Sequence, residues 1–261
     1  NGCEIITNPL IYAGNTFTVN YDELEAKTAD PAVKVMLLCN PHNPAGRVWT
    51  REELTRIGNI CLRNGVTVVA DEIHCELVMP GHTYTPFASL SEEFLRHSVT
   101  CVSPSKAFNT AGLQIANIVC ADAGMRAEID RAININEVCD VNPFGVAGTI
   151  AAYNEGEEWL SQLLDYLHRN YQHMKTFCTE HLPQFPITAL EGTYLVWMDC
   201  RALQMPSETL AERLSREAKL QLNAGTMYGT ESEGFMRWNI ACPKAVMLEG
   251  LKRFENFVTR R

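Results

Sequence analysis

The stretch VKVMLLCNPHNPAGRVWTREELTRIGNICLRNGVTVVADEIH, residues 33–74, decides the fold. It opens on an apolar run, 33–39, broken only by Lys34, that reads as a buried parallel strand. Thr50-Arg51-Glu52-Glu53 has the form of a capping box, in which threonine and glutamate satisfy orphan N–H groups at a helix start. Leu54, Ile57 and Cys61 then recur at helical spacing, and Gly65 stands where a left-handed residue closes the helix. The β-branched run 66–70 follows as a second buried strand. Strand, helix and strand make one βαβ crossover.

Outward from this unit, 98–102 and 115–120 read as two more short strands. Successive buried strands with helical crossovers imply an open α/β architecture, a mostly parallel sheet with helices on both faces. The second half is patterned differently. Leu160, Leu163, Leu164, Leu167, Tyr171, Met174 and Cys178 form one stripe along a long amphipathic helix over 157–179, which stops near Pro183. A strand over 193–198, a helix from Ser207, short strands near Gln221 and Met236, and a last helix from Pro243 complete the chain. This order suggests a smaller α+β domain. The division expected is a large domain over residues 1–157, then the linking helix and a small domain over 158–261.

Composition removes other classes. In 261 residues, 46% are hydrophobic and 20% charged, enough to build a core and too apolar for disorder. No apolar run reaches the roughly 18 residues of a membrane-spanning helix. The formal charge, 22 − 31 = −9, argues against a nucleic-acid or anionic-lipid partner. Ten cysteines, at 3, 39, 61, 75, 101, 120, 139, 178, 200 and 242, include no C-x-x-C pair. They read as free thiols acting as small hydrophobes rather than a disulfide framework or a zinc site. With no leader visible, a cytoplasmic location is expected. The chain opens on Asn1-Gly2-Cys3, with a strand-like run at 4–7.

Ligands of open α/β sheets bind at the carboxyl ends of strands. Three polar clusters fall there: Asn40-Pro41-His42-Asn43-Pro44-Ala45-Gly46, Asp71-Glu72-Ile73-His74 and Ser103-Pro104-Ser105-Lys106. Singly, each has a structural explanation: a rigid turn, a helix cap, a surface lysine. Together, at successive strand ends, they point to one crevice.

These residues carry a resemblance. NPHNPAGRVW (40–49), VVADEIHCEL (68–77), SPSKAFNTAGLQ (103–114) and MRWNIACP (236–243) resemble the class I/II aminotransferase superfamily, the fold-type I enzymes dependent on pyridoxal 5′-phosphate (PLP). The stretches around His74 and Lys106, and EGTYLVWMDCR (191–201), look most like its cystathionine β-lyase-like C–S lyases. The resemblance implies that Lys106 bonds PLP through its amine and, once freed, takes the substrate's Cα proton. It implies that Asp71 pairs with the pyridine nitrogen and Asn43 donates to the phenolate oxygen, with His74 in support. Ser103 and Ser105 would donate to the phosphate, and Arg237 would grip the substrate carboxylate, for which a planar bidentate cation is suited. It also implies a homodimer.

One position departs from the wider pattern. Many aminotransferases carry arginine eight residues after the lysine, and here stands Gln114, as in the C–S lyases resembled. The reading is therefore PLP-dependent β-elimination on cysteine S-conjugates such as L-cystathionine. The alternatives are aminotransfer and a non-catalytic PLP-binding or regulatory relative. The resemblance further implies that the chain begins where family members are about a third complete. A piece so placed is expected to lack much of the phosphate cup and to hold PLP weakly.

Overall fold

The computed structural model describes residues 2–138 and 140–259. In chain order its first elements are β1 (Ile11–Ala13), β2 (Thr16–Thr18), α1 (Tyr21–Thr28), β3 (Val35–Cys39), α2 (Arg51–Arg63), β4 (Thr67–Asp71), α3 (Glu92–Arg96), β5 (Ser98–Val102) and β6 (Asn117–Val119). There follow α4 (Ala123–Ile135), α5 (Pro143–Glu155), α6 (Glu157–His181), β7 (Leu195–Asp199), α7 (Ser207–Arg213), β8 (Asn223–Ala224), β9 (Phe235–Asn239) and α8 (Lys244–Thr259). The described residues cluster into two compact units. One holds the residues up to 11, then 18–41 and 48–162; the other holds 12–17, 42–47 and 163 onward. The division in the long helix falls at 162/163. Segments 12–17 and 42–47, which the sequence reading leaves in the first domain, cluster with the second unit. Their backbone bonds explain why: Ala189 N–H donates to Asn15 O, and both Glu191 and Gly192 donate to Gly46 O.

The first unit carries a four-stranded sheet in the order β3-β4-β5-β6. β3, β4 and β5 run parallel, as the crossover requires. The capping box at α2 is formed in both directions, with Glu53 N–H to Thr50 Oγ1 at 3.1 Å and Thr50 N–H to Glu53 Oε2 at 2.9 Å. Gly65 closes the helix at φ +66°, the conformation glycine adopts without a steric cost. Leu54, Ile57, Ile60 and Cys61 pack with Leu38, Val68, Ala70 and Trp49 in one buried cluster. Each fully buried aliphatic side chain here contributes about 1.5–3 kcal/mol.

Several expectations are corrected. β3 is buried on one side only: Leu38 is buried, whereas Val35 is 53% and Leu37 80% exposed. α2 covers one face, so the apolar run does not mean burial on both. β6 pairs antiparallel with β5, and all three of its residues are exposed. Residues 4–7 form no strand; the first ladder is β1 with β2, turned by Gly14 and Asn15, both at positive φ as a two-residue hairpin turn requires. On α6, burial begins at Leu167 and runs through Tyr171, Met174 and Cys178, while Leu160, Leu163 and Leu164 are half-buried. Four helices, α1, α3, α4 and α5, are not legible in the sequence pattern. α5 starts on a caught N-cap, Asn142, with proline at its first position. It is apolar nearly all round, so it shows no stripe, and only Gly145 is buried.

The second unit builds the antiparallel sheet β7-β9-β8. Trp197 stacks on Phe235 with centroids 5.6 Å apart, and Trp238 and Phe185 meet Phe254 edge-on. Asn170, on the buried stripe of α6, donates through Nδ2 to Ile240 O and Cys242 O at 2.9 and 3.0 Å. That pins the loop leaving β9. The nine described cysteines are free thiols, four of them buried; Cys139 lies outside the described residues. No described helix is long and apolar enough to cross a membrane.

One-sided coverage of β3 is testable by urea unfolding of this chain. Leu54→Ala removes a fully buried side chain and should cost about 2–5 kcal/mol. Leu37→Ser changes a surface position and should cost no more than about 0.5 kcal/mol. Equal losses would contradict the description.

Candidate active site

In the first unit the parallel register sets Cys39, Asp71 and Cys101 abreast. Asn40 N–H bonds Asp71 O and Glu72 N–H bonds Cys101 O, each at 2.9 Å, so three loops leave the sheet from one row. Asn40 is wholly buried and ties two of the connections together. Its Nδ2 donates to Thr85 O, and its Oδ1 accepts from Trp49 N–H. Asp71 ends the central strand as an exposed carboxylate, with Oδ1 accepting from Ile73 N–H at 3.2 Å. His74 is buried one turn later. Lys106 is half-buried, and its ammonium has no hydrogen bond or ion pair among the described residues. Ser105 is half-buried beside it, and Gln114 is exposed, in left-handed conformation at the end of a 3₁₀ turn.

Ser103 differs from its expected role. Its hydroxyl donates to Ile115 O at 2.7 Å and accepts from Ser105 N–H at 3.1 Å. A hydroxyl has one proton, and here it is used inside the protein, so Ser103 shapes the Lys106 turn rather than presenting a donor.

Glu72 was not singled out by the sequence reading, because a carboxylate beside Asp71 looks like one more charge. It is buried, accepts from Phe87 N–H at 2.8 Å, and receives the Tyr84 hydroxyl. Burial pushes its carboxyl above the ordinary 4.5, opposed by those two donors, and the Asp71 charge adds to the rise. Burial also drives the Tyr84 phenol and Cys75 thiol upward, with neighbouring acids reinforcing both. Burial, reinforced by Asp71 and Glu72, likewise raises the Cys101 thiol.

The second unit holds Asn43 and Arg237. The loop 42–47 is fixed at one end by Gly46, at φ +72°, where a Cβ would press on Leu190 at 3.0 Å. Arg47 is buried; its Nε donates to Glu191 Oε2 at 2.9 Å, and its Nη1 to Phe17 O. Breaking such a buried pair from one side costs about 3–5 kcal/mol. Tyr171 closes the other side of this segment, its hydroxyl donating to Thr188 O and accepting from Leu190 N–H.

Arg237 extends from β9. Nη1 donates to Asn43 Oδ1 at 3.0 Å and Nη2 to Asn223 Oδ1 at 3.2 Å, and the Tyr228 ring centroid lies 4.6 Å from Cζ. Burial pushes the Tyr194 and Tyr228 phenols up, and the guanidinium charge pulls both partly back. No carboxylate pairs with Arg237 among the described residues. Of the Asn43 amide, only the oxygen is engaged among the described residues. Asn223, Tyr228 and Tyr194 were missed: their only sequence signal was a short strand near 221 and an aromatic-rich surrounding.

The Glu72 environment has a pH consequence. Because the folded carboxyl titrates above the unfolded 4.5, the folded chain binds more protons from pH 4.5 upward to its raised value. Stability from this group therefore falls as pH rises through that window and stays lower beyond it. Glu72→Gln should lack this loss when urea unfolding is followed from pH 4.5 to 7.5; identical slopes in both proteins would contradict it.

The chain matches the family described as aminotransferase class I and II over residues 1–254. It is 41% identical over 255 residues to cystathionine beta-lyase PatB of Bacillus subtilis (strain 168), covering 98% of this chain and 66% of that protein. Cystalysin of Treponema denticola, which contains PLP, superposes with a TM-score of 0.93 at 31% identity, covering 98% of this chain and 65% of its own. A PLP-bound protein of Clostridium difficile 630, provisionally described as an aminotransferase, gives 0.94 at 38% identity, covering 97% and 65%. The chain thus spans just under two thirds of these relatives. It belongs to the aminotransferase class I and II family.

Proposed function

We propose that the whole protein is a PLP-dependent carbon–sulfur lyase acting on cysteine S-conjugates such as L-cystathionine. One observation carries the substrate class: Arg237 is a half-buried cation held by two neutral amides, with its charge left for a ligand carboxylate. The choice of elimination over aminotransfer rests on likeness to PatB and cystalysin and on Gln114 where many aminotransferases carry arginine.

The donor set suits PLP. An exposed carboxylate, Asp71, would pair with the ring nitrogen, and the unpartnered amine of Lys106 would hold the aldehyde carbon. Asn43 Nδ2 would donate to the phenolate oxygen and Ser105 to the phosphate, with His74 in support. When bound, the cofactor supplies an electron sink that acidifies the substrate's Cα–H. The chain's own residues do the rest. Arg237 would bind the substrate's carboxylate, and Lys106 Nζ would take the Cα proton. The Cβ–S electron pair leaves with sulfur as a thiolate. With one water consumed, the products are a thiol, pyruvate and ammonia.

The reading includes a cytoplasmic homodimer. Free thiols fit a reducing compartment. Ile135, Phe144 and Ile150, 71%, 78% and 56% exposed on α4 and α5, are large apolar side chains that a second subunit would cover. Sedimentation of the full-length protein should give a dimer; a monomer at micromolar concentration would count against it.

The activity is tested on the full-length protein with L-cystathionine. Pyruvate and ammonia should form, Lys106→Ala should abolish both along with the visible band of bound cofactor, and Arg237→Gln should raise KM about ten- to a hundredfold. Absence of pyruvate, with a 2-oxo acid aminated instead, would replace the lyase by an aminotransferase.

A further inference from the structure

Arginines in the second unit are handled in two ways. Arg47 is neutralised by Glu191. Arg201 forks onto Asp199, Nε to Oδ1 at 2.9 Å and Nη2 to Oδ2 at 2.6 Å. Arg237 is instead braced by two amide oxygens and one aromatic face. Either bracing amide could be an aspartate of nearly the same shape, and neither is.

The less obvious of the two is Asn223. It lies on β8 directly opposite Arg237 on β9, in antiparallel register. Opposed residues of such a pair project to the same face, so the two side chains meet by backbone geometry. The position is held from behind by Gly225. A Cβ there would come within 2.0 Å of Ser232 O and 2.8 Å of Phe235 O, so β8 and the turn bearing Tyr228 lie as close to the neighbouring backbone as glycine alone permits. Asn223 thus has little freedom to drift from Arg237. Its oxygen takes one Nη2 proton and Asn43 takes one Nη1 proton. Three of the five guanidinium N–H donors remain, with the full positive charge.

On the reading of Arg237 as the carboxylate site, we infer that Asn223 is its positioning residue, and that the neutrality of Asn223 makes the site select an anionic ligand. An acid at 223 would hold the guanidinium equally well but would pair with it, and an incoming carboxylate would then meet a neutralised and partly occupied fork. A residue with a merely structural role would, when changed, alter stability without altering the preference between a charged and an uncharged ligand.

The test uses cofactor-loaded full-length protein and two ligands of one shape, propionate and its neutral amide propionamide. Neither is turned over, and binding is followed by NMR titration. Wild type should prefer propionate. Asn223→Asp should lower that preference about ten- to a hundredfold, the range of one lost charge-assisted contact. Asn223→Ala should lower propionate affinity by a smaller factor, and Asn223→Ser, which restores an oxygen acceptor, should recover part of it. Thermal unfolding of each variant checks that the fold is kept. An undiminished preference in Asn223→Asp overturns the inference, as does a wild type with no preference. A protein that prefers propionate yet makes no pyruvate from L-cystathionine keeps this inference and loses the lyase reading. One that makes pyruvate while Asn223→Asp keeps the preference does the reverse.

Discussion

The parallel register of β3, β4 and β5 is the constraint on which the first unit depends. It sets Cys39, Asp71 and Cys101 in one row, and backbone bonds from Asn40 and Glu72 carry the pairing one residue further. Parallel strands need a crossover between them, so each strand end must begin a new loop at the same edge of the sheet. Asp71, its buried neighbour Glu72 and the amine-bearing turn at Lys106 come from two separated stretches of chain and share that edge. Asn40 and Ser103 then stiffen the loops from within, one through Thr85 and Trp49 and the other through Ile115 and Ser105.

The second unit solves a different problem, which is to hold a cation still without neutralising it. Buried charge is costly unless hydrogen-bonded. Neutral amides meet that need at Arg237 while leaving its charge available. The loop bearing Asn43 is in turn fixed by the Arg47–Glu191 pair and by two N–H groups converging on Gly46 O. Arg47 is neutralised by Glu191, whereas Arg237 has no carboxylate partner among the described residues.

Much of this was legible in the sequence because it depends on local chemistry. The capping box at Thr50, the closing Gly65, β5 and the starts of α7 and α8 follow from spacing, caps and β-branching. Lys106, Asp71, Asn43 and Arg237 stood out through the motifs around them. What escaped depends on partners far along the chain. Ser103 reads as a donor until Ile115 is seen to take its proton, and Glu72 as a plain charge until Tyr84 and Phe87 are seen to enclose it. Asn223 has no motif; only the β8–β9 register sets it against Arg237. α5 has no stripe to read, and exposure of Leu37 follows from which face α2 covers, which an apolar run does not encode.

The central proposal is that the full-length protein breaks a carbon–sulfur bond rather than moving an amino group. The most direct measurement is the amount of thiol and pyruvate released by the full-length protein from L-cystathionine with no 2-oxo acid present. Elimination needs no acceptor, so the account predicts equal amounts of both products, accumulating far beyond one per active site. Arrest at a single turnover, with no free thiol, would contradict it.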